Sequence, residues 1–222
     1  MTLPRRLAAE AIGSFFLFAA VIGSGIMAER LAGGNVAIAL LANSIATGAI
    51  LFVLIAVLAP LSGAHFNPAV SVALALRGRL AGRDLAPYIL AQLAGGLLAV
   101  LATHAMFDLA LLQWSAHART GPGQWLAEGM ATFGLVLAVF GMAGRPPAEA
   151  GGVIALYIVA AYWFAASTSF ANPAITLARS LTDSFSGIAR ADVPAFVVAQ
   201  LVGAALGALA ARLLFPAPDV SR

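Results

Sequence analysis

Six long apolar stretches constrain this chain more than any other feature. A helix needs about 20 residues, at ~1.5 Å each, to cross ~30 Å of hydrocarbon. Hydrophobic residues make up 62% of the 222 residues and charged residues only 9%, against roughly 45–50% and 25% in an average soluble domain. So few charges cannot cover a soluble protein, whereas a membrane protein exposes apolar surface to lipid. We therefore predict an integral protein of the lipid bilayer.

The six predicted transmembrane helices alternate with short connections. They are Leu7–Ala28, Val36–Ala59, Leu85–Met106, Trp125–Ala143, Gly152–Ser167 and Val193–Phe215. The first is too long for a cleaved signal peptide, contains Glu10 and is followed by further apolar stretches. A polar linker, Asp108–Gly123, divides the chain between the third and fourth helices.

The arginines predict the orientation of these helices. All 12 basic residues are arginine, and the net charge is only +3. Since most of them lie on the side of the N-terminus, the positive-inside bias places both termini in the cytoplasm. On that side are Arg5, Arg6, Arg77, Arg79, Arg83, Arg145, Arg212 and Arg222, and on the other side are Arg30, Arg119, Arg179 and Arg190. The arginines are scattered and form no basic stripe, so no nucleic-acid partner is predicted.

Residues suited to catalysis or metal binding are scarce. Cysteine is absent, which excludes thiolate metal sites and nucleophilic cysteine chemistry. The three histidines are scattered along the chain. No Ser/His/Asp grouping points to an intramembrane enzyme. We therefore predict no catalytic residues, no metal and no cofactor.

The two sides of the linker repeat each other in the same order. The matching elements are Glu10 and Glu128, Asn67-Pro68-Ala69 and Asn172-Pro173-Ala174, and the pairs Asp84/Gln92 and Asp192/Gln200. Three helices per half is an odd number, so the second half enters the membrane in the opposite direction. The chain is therefore predicted to be an inverted repeat of about residues 7–108 and 125–215, an architecture common among proteins that move solutes.

Each Asn-Pro-Ala motif begins a short apolar helical segment, Pro68–Leu76 or Pro173–Leu181. About nine residues cover ~14 Å, half of the hydrocarbon thickness. Asparagine is a strong N-cap, and proline suits the first helical position. A single motif would indicate only a helix cap. Two motifs at equivalent places predict half-helices that enter from opposite faces and meet near the midplane.

Two helix N-termini at one point inside the membrane predict a pore. Non-helical backbone at this depth must be buried in protein or line a water-filled cavity. The unpaired N–H groups, together with the amides of Asn67 and Asn172, would donate to the oxygen of a neutral hydroxylic solute and repel cations. Such a site acts as a passive filter.

These residues resemble those of the aquaporin, or major intrinsic protein, family over nearly the whole chain. The resemblance rests on Ala9-Glu10 with Gly13 and Phe15-Phe16, the segment from Ser62 to Val70, Gln92, Glu128 with Thr132-Phe133, and Asn172-Pro173-Ala174 to Gln200. It implies an all-α membrane protein of six tilted helices and two re-entrant half-helices around one pore. It also implies a homotetramer, passive flux of water, glycerol or other small uncharged solutes, and a single channel domain, 1–222, in a plasma membrane such as the bacterial inner membrane.

The resemblance also assigns roles to individual residues. It makes Asn67 and Asn172 the midplane donors and places His65 in the cytoplasmic half of the pore. Glu10 and Glu128 would accept N–H bonds from the re-entrant loops, with a proton relay as the alternative. Glycines of the third and sixth helices would allow close helix packing; they are Gly95, Gly203 and Gly207.

The outer filter departs from the family pattern. Most members carry arginine directly after the second motif, where this chain has Ile175. Counting from the motifs places the other filter positions at Thr47, Ala160 and Ser169, of which Thr47 and Ala160 could shift by one residue. Such a filter has no charge and no large aromatic side chain, which predicts a wide and weakly discriminating opening.

Arg179 offers a substitute for the missing arginine. It lies one turn beyond Ile175 on the same helical face, ~6 Å further out. Alternatively, it could reach the outer interface or pair with Asp183. This pattern resembles a bacterial aquaglyceroporin branch linked with arsenic resistance. It implies urea-like solutes and metalloid acids, such as arsenous acid or methylated arsenicals, as further solutes.

A secondary transporter built on an inverted repeat is the main alternative function. Six helices are few for that class, and no membrane-embedded charged pair offers a coupling site. Solute flux that neither saturates nor responds to pH or sodium gradients would distinguish a channel from a transporter.

Overall fold

The computed structural model describes residues 1–215, and within that range it contains helices and no strand. Six of the eight α-helices are long and apolar enough to cross a membrane. The helices are α1 (Leu3–Leu31), α2 (Val36–Ser62), α3 (Pro68–Leu76), α4 (Gly82–Met106), α5 (Pro122–Gly141), α6 (Pro147–Phe164), α7 (Pro173–Arg179) and α8 (Val193–Leu214). The predicted all-α fold is confirmed. Arg222, which contributed to the predicted orientation, lies outside the described residues.

Helix boundaries differ from the prediction mainly where proline or extended backbone sets them. α6 begins at Pro147 rather than Gly152, because a proline in the first turn lacks only an N–H that would have no partner there. It ends at Phe164, since Ala165 is already extended. α7 ends before the predicted Leu181, whose N–H closes a tight turn onto the carbonyl of Ala178.

The two ends of the helix bundle are named after the chain segments that lie there. We call the end where α1 begins the N-terminal face, and the end that carries residues 107–121 the linker face. Large apolar side chains cover the outside of the bundle, and Leu31, Leu156 and Leu213 are among the most exposed. Carboxyl and amide side chains are buried inside. This inverts the usual soluble arrangement and suits contact with lipid.

Glycine lets pairs of helices in each half approach to backbone contact. A Cβ atom at Gly95 of α4 would overlap the carbonyl group of Ala11 in α1. A Cβ atom at Gly203 of α8 would overlap the carbonyl group of Gly129 in α5. Both contacts agree with the packing role predicted for these glycines.

Two re-entrant loops precede the short helices. The first loop, residues 63–67, leads from α2 into α3, and the second loop, residues 165–172, leads from α6 into α7. Because α3 leads on to α4 at the N-terminal face and α7 ends among the segments of the linker face, the half-helices run in opposite directions. Neither crosses the bundle.

Candidate functional site

The two re-entrant loops meet through reciprocal side-chain hydrogen bonds. Asn67 Nδ2 donates to the carbonyl oxygen of Ala171 at 2.7 Å. Asn172 Nδ2 donates to the carbonyl oxygen of Phe66 at 2.9 Å. Each half of the chain therefore fixes the loop of the other half.

Both asparagines also cap their own half-helices. Asn67 Oδ1 accepts from the backbone N–H of Ala69 at 2.9 Å, and Asn172 Oδ1 accepts from that of Ala174 at 2.9 Å. Proline follows each asparagine at the first helical position. Both asparagines line the central cavity, and one N–H of each amide remains available to a solute.

Glu10 holds the first loop and is fully buried. Its Oε1 accepts from Ser62 Oγ at 2.7 Å and from the backbone N–H of His65 at 2.9 Å. Its Oε2 accepts from the backbone N–H of Phe66 and from Gln92 Nε2, both at 2.8 Å. Four donors occupy the acceptor capacity of one carboxylate.

Glu128 holds the second loop in the same way and is also fully buried. Its Oε1 accepts from Ser167 Oγ at 2.5 Å and from the backbone N–H of Phe170 at 2.9 Å. Its Oε2 accepts from the backbone N–H of Ala171 at 2.8 Å and from Gln200 Nε2 at 2.6 Å. This geometry favours the loop-supporting role over the proton relay for both glutamates.

The carboxylate bonds offset backbone strain in both loops. Three positions before each asparagine, and again one position before it, φ lies in the left-handed region, at a cost of about 1–3 kcal/mol for a residue other than glycine. These residues are Ala64 (51°), Phe66 (48°), Ser169 (53°) and Ala171 (46°). Such a backbone persists only where the surrounding contacts determine it.

A cavity of about 510 Å³ extends from the N-terminal face past both asparagines to Arg179. Its wall is mainly aliphatic, with Leu51, Ile55, Leu135 and Ile154 among the lining residues. His65 also lines the cavity, and its Nδ1 lies 2.9 Å from Ser71 Oγ.

Three of the four predicted filter residues line this cavity, namely Thr47, Ser169 and Ile175. The placement of Ala160 was wrong, because it lies on the exposed side of α6. Tyr162 lines the cavity instead, and its hydroxyl oxygen lies 3.1 Å from Thr47 Oγ1. Two residues along an α-helix correspond to about 200° of rotation, so a small error in counting reverses the face. The cavity wall beside Thr47 thus carries a large aromatic side chain, which the predicted set of filter residues did not include.

Arg179 lines the cavity and does not reach the outside. Its side chain is buried, its Nε donates to the carbonyl oxygen of Ser186, and its Cζ lies 3.3 Å from the centre of the Phe170 ring. The suggested pairing with Asp183 was wrong, because that carboxylate accepts from the backbone N–H of Ala116 at 2.9 Å and is exposed. The suggested position at the interface was also wrong.

The sequence did not single out Arg119 as part of the site. Its Nε donates to the carbonyl oxygen of Gly187 at 2.7 Å, and its Nη atoms donate to those of Ser167 and Phe185 at 3.3 and 3.4 Å. Desolvation by burial lowers the pKa of this guanidinium group. Arg119 is the only arginine of the linker, but nothing local in the sequence predicts that it folds back onto the second loop.

Comparison with known proteins decides the family. The family model described as Major intrinsic protein matches residues 1–168. The chain belongs to the major intrinsic protein family. Within this family it is 54% identical over 221 residues to Aquaglyceroporin AqpS of Rhizobium meliloti (strain 1021), which covers 99% of this chain and 94% of the relative. It is 32% identical to Aquaporin Z of Bradyrhizobium diazoefficiens, with coverage of 96% and 95%.

A solved structure of the major intrinsic protein family has the same fold. The aquaglyceroporin from Plasmodium falciparum matches with a TM-score of 0.73 and 22% identity, covering 97% of this chain and 98% of its own. This confirms the fold, and family membership confirms the resemblance found in the sequence. The chain is thus a multi-pass membrane channel for water and small solutes, and it is not an enzyme.

Proposed function

We propose that this channel passes glycerol, urea-like solutes and metalloid acids such as arsenous acid or methylated arsenicals, as well as water. The observation that carries this proposal is the aliphatic side chain of Ile175 on the cavity wall, where most members of the family carry arginine. An arginine at this position would narrow the opening and add a fixed charge. The 54% identical relative is an aquaglyceroporin by name, which supports glycerol as a solute.

The proposed filter consists of Thr47, Tyr162, Ser169 and Ile175. Three hydroxyl groups can donate to and accept from the hydroxyl groups of a solute, while Ile175 contacts its apolar side. Ser169 Oγ is buried and has no hydrogen-bond partner among the described residues, so a passing hydroxyl group would satisfy it. Such a two-sided filter suits polyols and acids that carry both hydroxyl groups and apolar atoms.

The proposed setting is a bacterial inner membrane with both termini in the cytoplasm. The N-terminal face would then be the cytoplasmic face and the linker face the outer one, in agreement with the excess of arginine near the N-terminal face. We further propose a single channel domain, 1–222, with repeats at about 7–108 and 125–215, that assembles as a homotetramer.

Stopped-flow light scattering on proteoliposomes tests this function. Water, glycerol, urea and arsenous acid gradients are compared, and each solute should enter faster than into empty liposomes, without saturation and without dependence on pH or sodium gradients. Saturable, gradient-driven uptake would favour a secondary transporter.

A matched pair of variants on α6 links the flux to the cavity. Ile158 lines the cavity and is buried, whereas Leu156 points outward and is 70% exposed. Ile158→Trp should therefore block all four solutes, and Leu156→Trp should block none. Equal flux through both variants would contradict the assigned pore.

A further inference from the structure

Every lining side chain of the cavity that carries a permanent charge is positive. Among the described residues these side chains are Arg79, Arg145 and Arg179, and no carboxylate lines the wall. Arg79 and Arg145 belong to segments at the N-terminal face, while Arg179 lies beyond the filter toward the linker face. Arg145 lies 3.8 Å from the exposed carboxylate of Glu149, so among the described residues the lining charges without a carboxylate within 4 Å are Arg79 and Arg179. They lie toward opposite ends of the permeation path.

Arg179 is a buried cation that lacks an anionic partner. Only 2% of the residue is exposed, and no carboxylate oxygen among the described residues lies within 4 Å of its guanidinium nitrogens. Its Nε has a carbonyl partner, but neither Nη atom has a hydrogen-bond partner within the described part of the chain. The Nη groups therefore offer donors to the cavity that Arg179 lines.

Arg119 increases the positive charge at this place. Both guanidinium groups lie against the Phe170 ring, at 5.1 and 3.3 Å from its centre, and both donate to carbonyl groups of the segment 185–187. Carbonyl oxygens satisfy N–H groups but do not cancel a formal charge. Glu128 is the nearby buried acid, and four donors already occupy it. Two cations and one anion leave a positive local charge.

Ser169 adds a second unused polar group. The residue is 3% exposed and lines the same cavity, and Ser169 Oγ has no partner among the described residues. A hydroxyl group and a fork of guanidinium donors match a small planar oxyanion, which accepts parallel hydrogen bonds from arginine.

The geometry points to an anion-binding subsite, formed by Arg179 and Ser169 beside the filter, that holds one small monovalent oxyanion or carboxylate. This inference rests on the proposed pore, since the subsite lies on its wall. A bound anion accepts from the Nη donors, balances the local positive charge and narrows the water path beside the filter. The subsite therefore binds small acids in their ionised form at this end of the path.

Nitrate is a suitable probe, because it is planar and monovalent and has no neutral form that crosses lipid at pH 7. Water permeability of proteoliposomes is measured while nitrate replaces gluconate, a much larger and non-planar anion, at constant osmolarity and ionic strength. We expect water permeability to fall at least about twofold, with half-saturation at roughly 1–10 mM, the range that a pair of charge-assisted hydrogen bonds can provide.

Four variants separate this subsite from a general salt effect. Arg179→Gln should abolish the nitrate effect. Arg179→Lys keeps the charge but loses the planar fork of donors, so the effect should persist with a higher half-saturating concentration. Arg119→Gln should also raise the half-saturating concentration severalfold. Arg190→Gln, which alters an exposed arginine stacked on Trp114 near the linker face, should behave like the wild type.

Equal water permeability in nitrate and gluconate would overturn the subsite, as would a nitrate effect that survives Arg179→Gln. If Arg179→Gln does not fold, an unchanged half-saturation in Arg119→Gln overturns it instead. A protein that conducts water and glycerol but ignores nitrate would refute only this subsite. A protein that conducts neither solute would refute the proposed function itself.

Discussion

The two re-entrant loops, each with the half-helix that follows it, share one framework and differ in the side chains that they present to the pore. Equivalent serines, backbone N–H groups and glutamines donate to Glu10 in the first half and to Glu128 in the second. The side chains at equivalent places differ: they are His65 and Phe170, Val70 and Ile175, and Leu74 and Arg179. The repeat therefore preserves the bonds that fold the loops, and we expect the positions that those bonds leave free to set the selectivity.

A second difference lies in how volume is divided between helix and loop. In the first half, the large Phe66 ring occupies the space beside Gly13, where a Cβ atom would overlap the ring. The equivalent positions of the second half hold Ala171 and Ala131, both fully buried. The two halves thus reach the same loop path with different packing.

The largest expected effect tests the shared framework. Glu10→Gln and Glu128→Gln should each lower the free energy of unfolding by about 2–5 kcal/mol, because an amide nitrogen then faces donors that have no acceptor. SDS titration of the purified protein measures this loss, and Glu149→Gln, at an exposed glutamate of α6, is the control. Normal stability combined with a selective loss of proton flux would instead favour a proton relay, and the two glutamates would then not share a loop-supporting role.

The next effect tests the packing difference. Gly13→Ala should lower the free energy of unfolding by about 1–3 kcal/mol, since its methyl group overlaps the Phe66 ring. Combining it with Phe66→Ala reproduces the pair of the second half. The free energy of unfolding of the double variant should then exceed the value obtained by adding the two single losses, by about 0.5–3 kcal/mol. Strictly additive losses would show that the two residues do not compete for space.

A selectivity change tests the difference at the filter. Ile175→Arg should lower glycerol and arsenical flux about tenfold more than water flux, which corresponds to about 1.4 kcal/mol of activation barrier. The arginine narrows the pore, and the packed side chains of the wall cannot move far enough to let a bulky solute pass. Arg179→Ala should shift the water-to-glycerol permeability ratio less. Val70→Ile, which gives the first half the residue of the second, should leave it unchanged. If only Arg179→Ala shifts the ratio strongly, the narrowest point lies one turn further along α7.

The smallest expected effect is the response of the wild type to mercury. The chain has no cysteine, so micromolar mercuric chloride should not change water flux. Ser169→Cys and Ala64→Cys, at equivalent positions of the two loops and both on the cavity wall, should create sensitivity that a thiol reductant reverses. Inhibition should be stronger for Ser169→Cys, since only that residue belongs to the proposed filter. Inhibition of the wild type would show that the flux does not depend on this pore.

The framework could be predicted from sequence because it depends on local chemistry and on repetition. Asparagine before proline specifies a helix start, and two copies in an inverted repeat specify where both starts lie. Ala160 was misplaced because the count ran back through irregular backbone, which does not carry the rotational phase of α6. The position of Arg119 depends on bonds to residues 185 and 187, and no periodic pattern encodes such distant contacts.

The reciprocal asparagine bonds also set an order of events during biogenesis. Asn67 finds its acceptor 104 residues later in the chain. At a synthesis rate of about 5–20 residues per second, the first loop waits roughly 5–20 s for its partner. Until α6 and the second loop are inserted, the strained first loop lacks this closing contact. The conducting path is completed only when most of the chain is in the membrane. An incompletely synthesised chain is therefore expected not to form a conducting pore in the membrane of the host cell.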